Sequence, residues 1–380
     1  MVPTRRAAGA RRAEEVAMSL SVGIAGLPNV GKSTLLNALT HAGAEASNYP
    51  FCTIEQNVGV AAVPDPDLAR LAGVLSPSES VPATVRFVDI AGLVAGASRG
   101  EGLGNKFLAH VRETDALLHV VRCFDDPNVA HAPGPPDPIR DVEIVETEFL
   151  LADLDMAERA LSKIGKAAQV GGKDGDREAG AALERLVEAL REGRPAGTVE
   201  LSEKERAALG DFRFLTAKPC LYVANTGEED PAGSGPGVSA LREARGADRV
   251  LAVSVRIEEE ISELPPEEQA EFLEGLGLHE TALDLVIAAC FRLLDLVTYY
   301  TVANDKLRAW PLRRGETAAR AAGQVHTDME RGFIRAEVMA LADLLQHRDR
   351  RALHDLGLIH TVGRDHVVAD KDVLQFHFKV

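Results

Sequence analysis

Short apolar runs separated by helical spacings mark the greater part of the chain. Ser21-Val-Gly-Ile-Ala25 reads as a buried strand ending in a Gly/Pro turn, and Lys32 to Leu39 reads as a helix. Val85-Arg-Phe-Val-Asp-Ile90, Ala116-Leu-Leu-His-Val-Val121, Cys220-Leu-Tyr-Val-Ala224 and Val250-Leu-Ala-Val-Ser-Val255 read as further strands. Helical patterns between them predict a mostly parallel sheet covered on both faces. The span Asp141 to Thr216 breaks this rhythm. Leucines at helical spacing (Leu150, Leu154, Leu161, then Leu183, Leu186, Leu190) flank a turn-rich break, Gly171-Gly-Lys-Asp-Gly-Asp176. That pattern predicts an antiparallel helical pair inserted between two strands of the sheet.

Glu267 to Leu296 reads as helical again. From Thr298 the pattern changes to short strands and turns, at Leu307–Leu312, Gly332–Glu337, His366–Val368 and Leu374–Val380. The last run alternates apolar and polar residues as a half-buried strand does. The organisation expected is therefore an extension over residues 1–17, an α/β domain from 18–140 and 217–296, a helical hairpin over 141–216, and a small α+β domain over 297–380.

Composition narrows the class. Of 380 residues, 46% are hydrophobic and 26% charged, as in an ordinary globular protein. No apolar run approaches the roughly 18 residues of a membrane span, so no membrane role is expected. The net charge of −16 excludes a wholly basic nucleic-acid binder. Tyr299 to Val380 nevertheless holds 13 Lys and Arg against 11 Asp and Glu, and six of the eleven histidines. That tail is the candidate surface for an anionic partner. The cysteines, Cys52, Cys123, Cys220 and Cys290, stand apart and predict reduced thiols and a cytoplasmic setting. Met1 to Ala17 has four arginines and no apolar segment, so it reads as a disordered tail or an Arg-rich presequence, with Met18 an alternative start.

Gly26-Leu-Pro-Asn-Val-Gly31-Lys32-Ser33 matches G-x-x-x-x-G-K-S between a predicted strand and helix. The glycines let backbone N–H groups wrap a phosphate at the helix start. Asn29, Val30, Gly31, Lys32, Ser33 and Thr34 are the expected phosphate contacts. Lys32 would reach the β- and γ-phosphates, and Ser33 would offer a hydroxyl to Mg²⁺. Asp89-Ile-Ala-Gly92 ends the second strand; Asp89 would hold Mg²⁺ through water and the Gly92 N–H would sense the γ-phosphate. Thr53, between the two motifs, would cap the metal. Asn225-Thr-Gly-Glu228 stands where GTPases carry N-K-x-D. A glutamate there removes the guanine fork, because the aspartate's two hydrogen bonds are lost, and leaves Asn225 to meet either purine. ATP is the expected nucleotide, with GTP the alternative.

Together these segments, with Asn48–Glu55, Gly100–Asn105, His326-Thr-Asp328 and Arg331–Arg335, resemble the YchF family of Obg-like ATPases over nearly the whole chain. The resemblance implies a G domain, an inserted helical pair and a C-terminal β-grasp (TGS) domain. It also implies ATP hydrolysis and binding to ribosomes or the large ribosomal subunit. Ala95, Gln56 and the turn in Thr301–Lys306 depart from the family pattern. Leu93 follows D-x-x-G where many GTPases have a water-orienting glutamine, so slow intrinsic turnover is expected, and a nucleotide-gated binding module with negligible turnover stays open. His131, in a Pro/Gly-rich loop, is the candidate catalytic imidazole beside Lys32 and Gly92; His119 reads as a core residue. Asn29 also suggests K⁺, by likeness to potassium-stimulated GTPases. Arg308, Trp310, Arg313, Arg314, Arg331 and Arg335 are the candidate RNA contacts. A monomer acting as a switch in translation or stress regulation is the reading that results.

Overall fold

The computed structural model describes residues 20–42, 57–90, 103–131, 134–168, 174–210, 212–275 and 280–379. The extension 1–17, Thr53, Gly92, Leu93 and Cys52 lie outside the described residues.

β1 (Ser21–Ala25) leads into α1 (Lys32–Ala42). Then come β2 (Val58–Ala62), α2 (Pro66–Leu75), β3 (Glu79–Val81), β4 (Thr84–Asp89), α3 (Leu103–Glu113) and β5 (Ala116–Arg122). Two long helices follow, α4 (Pro138–Ala168) and α5 (Asp174–Arg191), and a short α6 (Glu203–Leu209). The chain returns through β6 (Cys220–Asn225), α7 (Pro236–Arg245), β7 (Val250–Val253), α8 (Val255–Ser262), α9 (Pro266–Gly275) and α10 (Ala282–Leu293). It ends with β8 (Leu296–Ala303), β9 (Lys306–Arg313), α11 (Ala318–Val325), α12 (Thr327–Arg331), β10 (Phe333–Ala340), α13 (Leu341–His347), α14 (Arg350–Asp355), β11 (His360–Val362) and β12 (Asp372–Phe378).

The first sheet has the order β2-β4-β1-β5-β6-β7, parallel except for β2. Every residue of β1 and β5 is buried, as expected of central parallel strands covered on both faces. The parallel register (Val22 opposite Phe87 and Ala116, Val120 opposite Val223) brings the C-terminal ends of β1, β4, β5 and β6 to one edge. Ligands of open α/β sheets bind at that edge.

The inserted helices pack through Ala157, Ala160, Leu183, Leu186, Val187 and Leu190. The small residues on α4 let α5 approach closely. Asp153 on α4 is fully buried and accepts from Leu215 N (3.0 Å), Thr216 N (2.8 Å) and Thr216 Oγ1 (2.8 Å). These bonds lock the hairpin to the segment that returns to the sheet.

The second sheet runs β11-β10-β12-β8-β9-β3. The β8–β9 hairpin, the helix that follows, and parallel pairing of β12 with β8 give it a β-grasp arrangement. Asn304 (φ 53°) and Asp305 (φ 63°) form the hairpin turn in the left-handed region, where Asn and Asp are the tolerated non-glycine residues. β3 precedes the β-grasp domain by more than two hundred residues yet pairs in parallel with β9, and Glu79 and Lys306 form an ion pair at 2.5 Å. Tyr300 OH donates to Asp65 at the head of α2, and Lys371 pairs with Asp67. The C-terminal sheet is thus fastened to the β2–α2–β3 segment of the first domain.

Several elements differ from the pattern-based expectation. The strand at Val250 ends at Val253, because Ser254 begins the turn into α8. The helix expected to reach Leu296 stops at Leu293, and Asp295 (φ 52°) turns the chain into β8. His366–Val368 is no strand; Val367 makes one isolated bridge, to Thr317. β2, an edge strand of five residues, has no counterpart among the expected strands.

Candidate nucleotide site

The loop between β1 and α1 is shaped by three special backbones. Gly26 (φ +151°) packs so closely that a Cβ would lie 2.4 Å from the Val120 carbonyl oxygen. Asn29 adopts φ 60° and Gly31 φ 97°. A Cβ on Gly31 would meet Asn225 Nδ2 at 2.4 Å, so the loop and the β6 end require glycine there. Leu35 N donates to Gly31 O and starts the helical ladder, leaving the preceding N–H groups at the helix start to face a ligand.

Lys32 is buried and donates from Nζ to Leu27 O at 2.7 Å, across the loop. Burial lowers its pKa to about 8, and the nearby Asp89 carboxylate offsets part of that effect. Ser33 Oγ donates to Asp89 Oδ2 at 2.7 Å. Asp89 Oδ1 is buried and has no hydrogen-bond partner. A hydroxyl and a carboxylate with one unsatisfied oxygen form a hard-oxygen pair suited to Mg²⁺, which takes one or two protein oxygens and substrate phosphates. No cluster of three or more His, Cys, Asp or Glu side chains able to hold a metal occurs among the described residues.

A cavity of about 1310 Å³ opens over this loop. Asn29, Gly31, Lys32, Ser33 and Thr34 line one end, and Asn225, Thr226, Gly227 and Glu228 the other. Phe124 to Ala130 forms a wall between them. The predicted phosphate and base residues are therefore brought to one cavity, except that Val30 is buried beneath its loop and is not on the cavity lining.

Asn225 lines the base end of the cavity and also ties two segments together. Its Nδ2 donates to Val30 O at 2.9 Å and its Oδ1 accepts from Val255 N at 3.2 Å. The amide joins the phosphate loop to the start of α8 and keeps one N–H on the cavity side. Glu228 pairs with Arg256 Nε at 3.0 Å, both side chains being more than half exposed. Asn29 Nδ2 donates to Ala130 O at 3.0 Å, tying the loop to the cavity wall.

His131, the candidate catalytic imidazole, is not free in its loop. Its Nε2 lies 2.8 Å from Asp141 Oδ2, and the two side chains are 4% and 3% exposed. Asp141 sits in the first turn of α4, where a carboxylate complements the helix dipole and holds the ring outside the cavity lining. His119 is buried on β5 against Tyr222, and burial drives its pKa down to about 3, so it is a neutral core residue.

Of the six tail residues, Arg313 pairs with Asp115 and Arg314 with Asp295. Trp310 is half-buried against Tyr299, bonds Thr301 Oγ1 and lies under Arg308. Arg331 and Arg335 are exposed.

Sequence reasoning missed Arg122 and Arg256. A charged residue closing the mostly apolar β5 was the available signal for the first; nothing in the local pattern marked the second.

A phosphate loop at the C-terminal edge of a mostly parallel sheet, with its serine bonded to a carboxylate on the neighbouring strand, defines a P-loop NTPase of the G-domain class. A family model described as a 50S ribosome-binding GTPase matches residues 21–152, and the YchF-GTPase C-terminal model, described as a protein of unknown function, matches 296–379. The chain is 47% identical over 365 residues to a Haemophilus ducreyi protein named ribosome-binding ATPase YchF, covering 96% of this chain and 100% of that one. A Bacillus subtilis protein of the same name is 45% identical over 368 residues, with 96% and 100% covered. A solved structure from Schizosaccharomyces pombe, titled a YchF GTPase, superposes with a TM-score of 0.84 at 34% identity, covering 94% of this chain and 98% of that one. The chain belongs to the YchF family.

Proposed function

We propose that this chain is a ribosome-binding ATPase that hydrolyses ATP to ADP and phosphate with Mg²⁺ and acts as a nucleotide-dependent switch. The observation that carries the hydrolase reading is the Ser33–Asp89 pair with its unsatisfied oxygen. These two residues would hold Mg²⁺, which supplies charge neutralisation at the phosphates when bound. Lys32, seated under the loop, adds a second positive charge there. Gly92 and Thr53 keep the roles proposed for them from their motifs.

The base preference rests on Glu228. Its carboxylate is drawn to Arg256 through one oxygen, away from the fork that guanine needs, and Asn225 keeps one N–H that meets either purine alike. Neither group then rewards guanine's donor edge, which supports ATP over GTP. The relatives' names divide on this point, ATPase in bacteria and GTPase in the yeast structure.

The relatives' names support ribosome binding. The exposed Arg331 and Arg335 are the proposed RNA contacts of the tail, and His131 would have to leave Asp141 to act on water. Asn29 keeps its carbonyl oxygen as the atom proposed to bind K⁺, since its amide nitrogen serves Ala130. Phosphate release from ATP is measured with and without large ribosomal subunits, in K⁺ and in Na⁺ buffers. Turnover raised by subunits supports the switch; no turnover in any condition contradicts the enzyme and favours a nucleotide-gated binding module.

A further inference from the structure

Arg122 is the last residue of β5 and is only 1% exposed. Burying a guanidinium is costly unless its donors are satisfied. Here the Nε and both terminal nitrogens donate to carbonyl oxygens of one loop: Phe124 (3.1 Å), Val129 (2.9 Å) and Asp126 (3.0 Å). The guanidinium carbon also lies 4.5 Å from the Phe124 ring centroid. The loop reinforces itself, with Asp126 Oδ1 accepting from Asn128 N at 2.8 Å and Val129 N donating to Asp126 O.

The two ends of this loop are fixed to the two ends of the nucleotide cavity. Cys123 N donates to Asn225 O, on the base side, and Ala130 O accepts from Asn29, on the phosphate side. Between those anchors the loop is the cavity wall. Arg122 itself is not on the cavity lining. A short segment rich in Asp, Pro and Asn would not hold one shape against solvent without an internal template.

We infer that Arg122 is a positioning residue for the nucleoside: it templates the Phe124–Ala130 loop into the wall against which the nucleoside part of the ligand packs, and makes no contact with the ligand. The inference rests on the nucleotide reading proposed above. It separates two parts of binding. The phosphate loop takes its shape from Gly26, Gly31 and Asn225, whereas the wall takes its shape from Arg122.

The test uses the full chain and two probes with Mg²⁺, a non-hydrolysable ATP analogue and inorganic tripolyphosphate. Binding is measured calorimetrically for wild type, Arg122→Met and Arg122→Lys, below each variant's melting temperature. Arg122→Met should weaken the ATP analogue by about tenfold or more while tripolyphosphate stays within roughly twofold of wild type. Arg122→Lys, which keeps the charge and reaches fewer carbonyls, should fall between and remains informative if Arg122→Met does not fold. Unchanged affinity for the ATP analogue in a folded variant overturns the inference. So does equal weakening of both probes, which would mean that Arg122 acts through the whole fold. Wild-type protein that binds neither probe overturns the nucleotide reading itself.

Discussion

Asn225 donates to the Val30 carbonyl at 2.9 Å from the far side of the cavity, so the strand that precedes the base loop also holds the phosphate loop in shape. The same amide accepts from Val255 N, and one side chain thereby joins β6, the phosphate loop and α8. Asn225→Ala should leave a buried carbonyl and a buried N–H without partners, at a cost of roughly 1–3 kcal/mol in stability. It should also weaken tripolyphosphate as well as ATP, in contrast to an Arg122 variant. Denaturant titration and calorimetry on the same samples check both effects.

Lys32 makes the site pH-sensitive. Its pKa is lowered to about 8. Above that pH the ammonium is lost, so triphosphate affinity should fall by about tenfold per pH unit from about 8 upward. Stability should move the other way. A buried cation with a depressed pKa burdens the fold fully below the folded value, and that burden is relieved as pH rises from about 8 toward 10.5. Affinity measured from pH 7 to 10, beside melting curves for wild type and Lys32→Met, tests the opposed signs; a flat affinity profile contradicts them.

The inserted hairpin is held by a buried carboxylate. Asp153 accepts three hydrogen bonds from Leu215 and Thr216, and its pKa is raised by desolvation against the opposing effect of those bonds. Asp153→Ala would strand three donors. Two-probe unfolding, with one reporter in the hairpin and one in the sheet, should show the hairpin melting ahead of the rest, with loss of roughly 1–3 kcal/mol per stranded donor at most. Coincident, unshifted transitions would contradict the role. The sign of its pH effect follows from the raised pKa: this group favours the fold less as pH rises above its unfolded value of 3.8.

Tyr300 and Asp65 form one of the polar links between the C-terminal sheet and the first domain. The phenol donates to a carboxylate that also caps α2 through Asp67 N and Leu68 N. Tyr300→Phe keeps the ring and the cap and loses only the link. A loss of about 1–2 kcal/mol is expected, since a hydrogen bond to a charged group is worth more than a neutral one. Amide exchange in α2 and β3 should rise with the substitution; protection unchanged there would contradict a fastening role.

The phosphate loop and the parallel strands were legible because each is a local pattern: glycines and lysine at fixed spacing, or apolar runs closed by turns. The hairpin was legible from leucine spacing on both sides of a glycine break. What was not legible depends on partners distant in the chain. β3 is only three residues long, and its pairing with β9 follows from the docking of a domain that begins far downstream. The second role of Asn225, its bond to the Val30 carbonyl, has no sign in the motif. His131 read as a free loop imidazole because Asp141 faces it only after α4 has formed. Arg122 was passed over because the expected strand stopped at Val121, and a charge just past a strand reads as an end effect.

The central claim is that the site prefers ATP. Paired calorimetry with slowly hydrolysed ATP and GTP analogues in Mg²⁺ tests it most directly. The account predicts ATP-analogue binding tighter by about tenfold, or about 1.4 kcal/mol. Arg256→Ala, which frees Glu228, should narrow the gap. Equal or tighter binding of the GTP analogue by wild type would contradict the account and return the chain to the GTPases.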